Sequence, residues 1–322
     1  LYDASTTVQA SDLQTMSNLV GSETLTLTGT STISDANVGT KTVNTGGFTL
    51  NDQAGANASS GGLASNYILS GGTHQLTVNQ RPLNATLARQ YDGTTTSAGS
   101  TLSSFDALQG GETLTLSGSG TAASANVANG ITMSSNGNLA LADGTGAASN
   151  YSLNSTVINI AKRVLNSSGS KIYDANTNAL AGAITLSNLV SGEALNHSGT
   201  ATISSANAGS YTISNLTGIS IADGSGGAAS NYTLTGGTHN FTVNQKVISL
   251  SGSRLYDATT NAVASDLTTI SGRVGSETLA LSGTGSVSNA NVSNNKTVTL
   301  GTLALGDGTG LAANYTLSGG TH

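Results

Sequence analysis

After three of four similarly placed glutamates the chain alternates apolar and hydroxylated residues: ETLTLTGTSTI from Glu23, ETLTLSGSG from Glu112 and ETLALSGTG from Glu277. Leucine falls on one face and threonine or serine on the other, the period of two that predicts a half-buried strand. KTVNTGGFTL, KTVTLGTLAL and YTLTGGTHNFTVNQ repeat the pattern, so five or six strands are expected in each repeat. The stretch beginning ASDLQTMSNLVGSE at Ala10 differs, with Leu13, Met16 and Leu19 three residues apart. Near the far end Leu267, Ile270 and Val274 follow an i, i+3, i+7 pattern behind Ser265, a residue type suited to cap a helix. One short helix per repeat is predicted. A sheet covered by that helix would be β-grasp-like; a strand and loop there would favour an immunoglobulin-like sandwich.

The pattern recurs four times. Tyr-Asp stands at Tyr2-Asp3, Tyr91-Asp92, Tyr173-Asp174 and Tyr256-Asp257, and Asn-Tyr at Asn66-Tyr67, Asn150-Tyr151, Asn231-Tyr232 and Asn314-Tyr315. From the first tyrosine to Glu23, Glu112, Glu193 or Glu277 is 21, 21, 20 and 21 residues, and from there to the Ala-Asn step at Ala36, Ala125, Ala206 or Ala290 is 13 each time. A period of about 82 residues exceeds a solenoid rung of roughly 20–45, so each copy is expected to be a small domain with its own core. The register divides the chain into 1–80, 81–162, 163–245 and 246–322. Copy one lacks a first strand equivalent to 81–89, and copy four lacks a last strand equivalent to 240–245. Such incomplete copies imply an excerpt of a longer array, with a sheet edge that further copies, in the same or a neighbouring chain, could fill. The junctions TVNQ-RPLNAT, INIA-KRVLNSS and TVNQ-KVISLSG contain no Gly/Ser linker, and short connections of this kind predict an extended, stiff rod.

Composition narrows the function. Charged residues make up 8 % of the chain and the net charge is −6, with the basic residues scattered singly. That leaves no footprint for nucleic acid. There is no cysteine, no apolar run of the roughly 18 residues that a membrane span needs and no leader pattern, so membrane insertion by this segment is not expected. The surface is one of Ser, Thr, Asn and Gly.

A basic residue, then Tyr-Asp with Gly or Ala, then Gly-Glu, ANVG or ANAG, Asp-Gly, SNYTL and a closing TVNQ strand resembles the YDG-type β-grasp-like repeats of large bacterial surface proteins. These include filamentous-haemagglutinin-like adhesins, and the match covers essentially the whole chain. The resemblance implies a secreted stalk or fibre of an extracellular adhesin or biofilm matrix, located at the bacterial cell surface. It maps no ligand site.

Each motif has a bland reading beside a functional one. The tyrosines and aspartates of the anchors (Tyr2, Asp3, Tyr67, Tyr91, Asp92, Tyr151, Tyr173, Asp174, Tyr232, Tyr256, Asp257 and Tyr315) are read as structural, holding the module together by burying rings while the hydroxyls find partners. Exposed rings stacking on sugars are the alternative. Asp143-Gly144, Asp223-Gly224 and Asp307-Gly308 are read first as turns and only weakly as calcium candidates, since no dense oxygen-ligand loop surrounds them. His74, His197, His239 and His322 are read as turn or sheet-edge residues. Glu112 with Asp143 offers the two carboxylates that a glycosidase needs, but the acids recur in every copy without aromatic platforms, so no enzyme and no cofactor is expected. A Lys-to-Asn isopeptide link is disfavoured because Arg89 and Arg254 replace Lys171. Multivalent contact with matrix polysaccharide or cell-surface glycan stands as the second functional reading, and the Gly55 to Gly62 insertion is read first as tolerated loop growth and second as the place for a copy-specific contact.

Overall fold

The computed structural model describes residues 1–13, 15–53 and 61–322, and the segment 55–60 of the copy-one insertion lies outside them. The chain is mainly β, built from short strands and single turns of 3-10 helix. It divides into two compact units, Leu1–Ala161 and Lys162–His322. Among the described residues no helix is long and apolar enough to cross a membrane.

Copy three shows the plan of a complete repeat. Its main path runs Asn178–Leu180, Leu195–Ile203, Gly209–Asn215, His239–Asn244, Asn166–Ile172, Ile184–Ser187, with Ile219–Asp223 paired to Leu195–Ile203. All neighbours are antiparallel except one pair: the lead strand Asn166–Ile172 and the closing strand His239–Asn244 lie side by side and parallel. Copy two repeats this with Arg81–Gln90 against Tyr151–Ala161 over most of their length. Alternation explains the burial. Phe241 and Val243 of the closing strand are buried and Asn240, Thr242 and Asn244 are not, and in copy two Ile158 and Ile160 take the inward places.

The short helix is corrected to less than an α-helix. Ala10–Asp12 and Ala264–Asp266 form one 3-10 turn each, and Thr269–Ser271 is a strand paired with Ser249–Ser251. Thr268, Thr269 and Ile270 are β-branched residues in succession, and Gly272 follows at φ 92°. Both features disfavour helix propagation and suit a strand. The i, i+3, i+7 spacing reflects Leu267 and Ile270 meeting the same core from a turn and a strand. Within each unit an apolar cluster also links the two copies. In the first unit one cluster joins Tyr2, Val8, Ile33, Val43, Phe48 and Val78 of copy one to Leu83, Leu114 and Tyr151 of copy two. In the second unit the core likewise runs from Tyr173 and Phe241 into Ile248 and Tyr315.

Candidate functional site

The anchor residues come together where one copy meets the next within a unit. At the junction of copies one and two, Tyr2 donates to Glu112 Oε1 at 2.5 Å and Tyr151 donates to Glu112 Oε2 at 2.6 Å. One carboxylate thus accepts a phenol from each copy. The two rings meet edge to face, centroids 5.2 Å apart at 78°, the arrangement aromatic quadrupoles favour. The Tyr151 oxygen also accepts the Gln109 amide at 3.1 Å, which fixes its direction. Beside this cluster Asn150, 1 % exposed, accepts the Val38 amide at 2.9 Å and donates to Asn37 Oδ1 at 2.8 Å. Gln80 reaches the Ser149 carbonyl at 3.1 Å and Arg81 the Tyr2 carbonyl at 3.3 Å.

The second unit builds the same lock. Tyr173 donates to Glu277 Oε1 at 2.7 Å, Tyr315 donates to Oε2, and their rings stand 5.4 Å apart at 79°. Asn314 accepts the Ala208 amide at 2.8 Å and donates to Asn207 at 3.1 Å, and Gln245 reaches the Ala313 carbonyl at 3.0 Å. Burial, then the hydrogen bond to the glutamate and its charge, push the Tyr2 and Tyr173 phenols up to about 12. Burial followed by the same glutamates raises Tyr151 and Tyr315 as well. The phenols therefore stay protonated and remain donors to the carboxylate throughout the neutral range.

Glycines make room for the carboxylate. A Cβ on Gly146 would stand 2.6 Å from Glu112 Oε2, and one on Gly310 would stand 2.5 Å from Glu277 Oε2. Asp143, Asp223 and Asp307, the weak calcium candidates, accept the amides of Ala148, Ala229 and Ala312, each at 2.7 Å. They cap the 3-10 turn that carries the Asn-Tyr step. Asp52 does the same for Ala64 at 2.7 Å, ahead of the copy-one insertion. Among the described residues no group of three potential metal ligands is assembled. The aspartates of the Tyr-Asp anchors work locally. Asp3, Asp174 and Asp257 accept the amide two residues on, as Asp92 does from Thr94. Asp92, Asp174 and Asp257 also pair with Arg89, Lys171 and Arg254 three residues before them. Burial alone would raise the Asp174 carboxyl, but the Lys171 ammonium brings it below its usual value. The Thr259 amide does this for Asp257, with Arg254 adding to it. The residue after each aspartate lies in the left-handed region: Gly93 at φ 77°, Ala4, Ala175 and Ala258 at 60–63°. Glycine fits there without strain and alanine carries a penalty of roughly 1–2 kcal/mol.

A YDG domain profile matches residues 1–75, 72–158, 161–240 and 241–322. The chain belongs to the YDG family. No curated protein and no solved structure shows significant similarity to it. In these YDG copies Tyr2, Tyr151, Tyr173 and Tyr315 sit in the locks, and Tyr91 and Tyr232 are buried. Tyr67 is half-buried and donates to Glu23 of its own copy, while Tyr256 is 65 % exposed. The histidines of the GGTH step close their own turns: His74, His239 and His322 bond through Nε2 to the carbonyls of Leu69, Leu234 and Leu317 at 2.6–2.8 Å. His197 lies instead against the carbonyls of Ala181 and Ile184. Asn37, Asn207, Gln80 and Gln245 take part in the locks although sequence reasoning assigned them no partner. The constancy of the Ala-Asn step and of the TVNQ ending carried the signal. Glu112 and Asp143, the two carboxylates considered as an acid pair, are engaged in separate structural bonds.

Proposed function

We propose that this YDG array is a structural repeat segment, a stalk or fibre portion, of an extracellular bacterial adhesin or biofilm-matrix protein. It would give reach and stiffness to cell-cell or cell-surface attachment. The observation that carries this reading is the Tyr-Glu-Tyr and Asn lock. Recurring tyrosine, glutamate and asparagine positions fasten one copy to the next within each unit. Within each unit an apolar cluster shared by two copies resists bending where they meet, as a load-transmitting element requires. Multivalent glycan binding calls for a row of exposed aromatic rings repeated from copy to copy, and the lock instead buries them.

Two measurements test the proposal. Antibody raised against the 322-residue chain should label unpermeabilised cells or their matrix, and the immobilised chain should show no saturable binding to purified matrix polysaccharide. Exclusively intracellular labelling, or saturable binding abolished by competing free polysaccharide, would overturn it.

A further inference from the structure

Each lock also holds two phenols in an arrangement suited to a covalent bond. In the pairs Tyr2–Tyr151 and Tyr173–Tyr315 both hydroxyls rest on the two oxygens of one carboxylate, which keeps the phenol oxygens close and draws the ring carbons beside them together. The ring centroids are 5.2 and 5.4 Å apart, with planes at 78° and 79°. A carbon-carbon bond between two ortho positions tolerates a large twist between the rings, so joining them requires a small approach and no stacking. All four rings are buried, while Glu112 and Glu277 are half-buried and give a proton a way out to water. The chain has no cysteine and no tryptophan to give up an electron in place of tyrosine. Tyr211 lacks this arrangement, its hydroxyl lying 3.5 Å from the Ala208 carbonyl, and Tyr256 is exposed.

We propose that these two pairs are sites of oxidative coupling, at which a one-electron oxidant joins Tyr2 to Tyr151 and Tyr173 to Tyr315 as dityrosine, a covalent tie between two copies. Each phenol gives one electron to the oxidant and its hydroxyl proton to the shared carboxylate, which passes that proton to water before the second phenol reacts. The two phenoxyl radicals then form one carbon-carbon bond between their ortho carbons. The hydrogens on those carbons leave as protons and both oxygens take protons up, which restores two aromatic rings and two hydroxyls. In sum one carbon-carbon bond forms, two carbon-hydrogen bonds break, and two electrons pass to the oxidant and two protons to water. Moving the proton to a positioned carboxylate avoids a cationic phenol in a buried place, where an unpaired charge is costly. Glu112 and Glu277 thereby both place the phenols and take their protons.

The test exposes the full 322-residue chain, dilute and folded, to a photo-generated ruthenium(III) complex, then identifies joined peptides by mass spectrometry after digestion. Peptides joining Tyr2 to Tyr151 and Tyr173 to Tyr315 are expected within single chains. Their yield should fall about tenfold or more in chain oxidised under denaturant, because the partners are distant in sequence and unfolding restores the entropy of closing so long a loop. Tyr173→Phe should abolish the second tie and leave the first as an internal reference. Glu277→Gln removes the base, and should cut the Tyr173–Tyr315 yield about tenfold while the Ala208 amide keeps its protection from hydrogen exchange. No joined peptide, joining only between chains or only through Tyr211 or Tyr256, or equal yields in folded and denatured chain would overturn the proposal. An unchanged yield in Glu277→Gln, or a loss of yield together with the Ala208 protection, would overturn the proton-accepting role of the glutamate.

Discussion

Glu112 and Glu23 are the same residue in two successive YDG copies, yet they hold different positions in the energetics. Glu112 accepts a phenol on each oxygen beneath an edge-to-face tyrosine pair, and Asn150 beside it is fully enclosed by copy one. Glu23 accepts Tyr67 of its own copy, and Asn66 is exposed. The intracopy half of the motif forms in both places; what copy one contributes at Glu112 is the second phenol, the burial and the asparagine bonds. The YDG signature is therefore chiefly a signature of contact between copies, and a given motif residue gains its weight from its neighbour.

The comparison can be broken most strongly at the asparagines. Asn150→Leu removes both bonds from a buried position and strands the Val38 amide. This should lower the opening free energy of amides at residues 37–43 by about 2–3 kcal/mol, the range for a buried polar group deprived of its partner, in native-state hydrogen exchange of the full chain. Asn66→Leu should shift the same amides by less than about 0.5 kcal/mol. A smaller effect is expected from the phenol. Tyr2→Phe keeps the ring pair and removes one bond to an ionised acceptor, a loss of about 1–2 kcal/mol, whereas Tyr67→Phe should leave the junction amides unchanged. Equal responses of the two tyrosines would abolish the distinction.

Alkali sharpens the contrast most gently. A tyrosine that ionises less readily folded than unfolded contributes stability fully present below its ordinary pKa of about 10. That contribution is lost as pH rises toward the folded value of about 12 for Tyr2 and Tyr173. Tyrosinate absorbance should thus show a late-titrating class, and junction protection should fade between these limits. Tyr2→Phe and Tyr173→Phe together should shrink that class, leaving the raised Tyr151 and Tyr315.

Much of the strand content was legible in the chain itself. The Thr-Leu alternation after Glu23, Glu112 and Glu277 marks Leu25–Thr32, Leu114–Ser117 and Leu279–Ser282, because a period of two has one simple structural reading. The supposed helix was misread because Leu267 and Ile270 converge on one core from different elements, which periodicity cannot separate. The recurring tyrosines and glutamates were visible as anchors, but their partners were not. Tyr2 and Glu112 are 110 residues apart in sequence, and regular spacing is satisfied equally by bonds within a copy and between copies. Nothing in the sequence marks the role of Gly146; only the packed structure shows that it leaves space for a carboxylate.

The parallel pairing of lead and closing strands has a mechanical meaning. In copy two the chain enters along Arg81–Gln90 and leaves along Tyr151–Ala161, adjacent strands running in the same direction. Tension applied through the polypeptide pulls these two strands past each other lengthwise, so the hydrogen bonds between them are loaded together in shear and do not open one at a time. Copy three has the same geometry between Asn166–Ile172 and His239–Asn244. Each complete copy thereby places its most cooperative row of bonds across the line of pull, and rupture under force is governed by the rate of crossing that barrier.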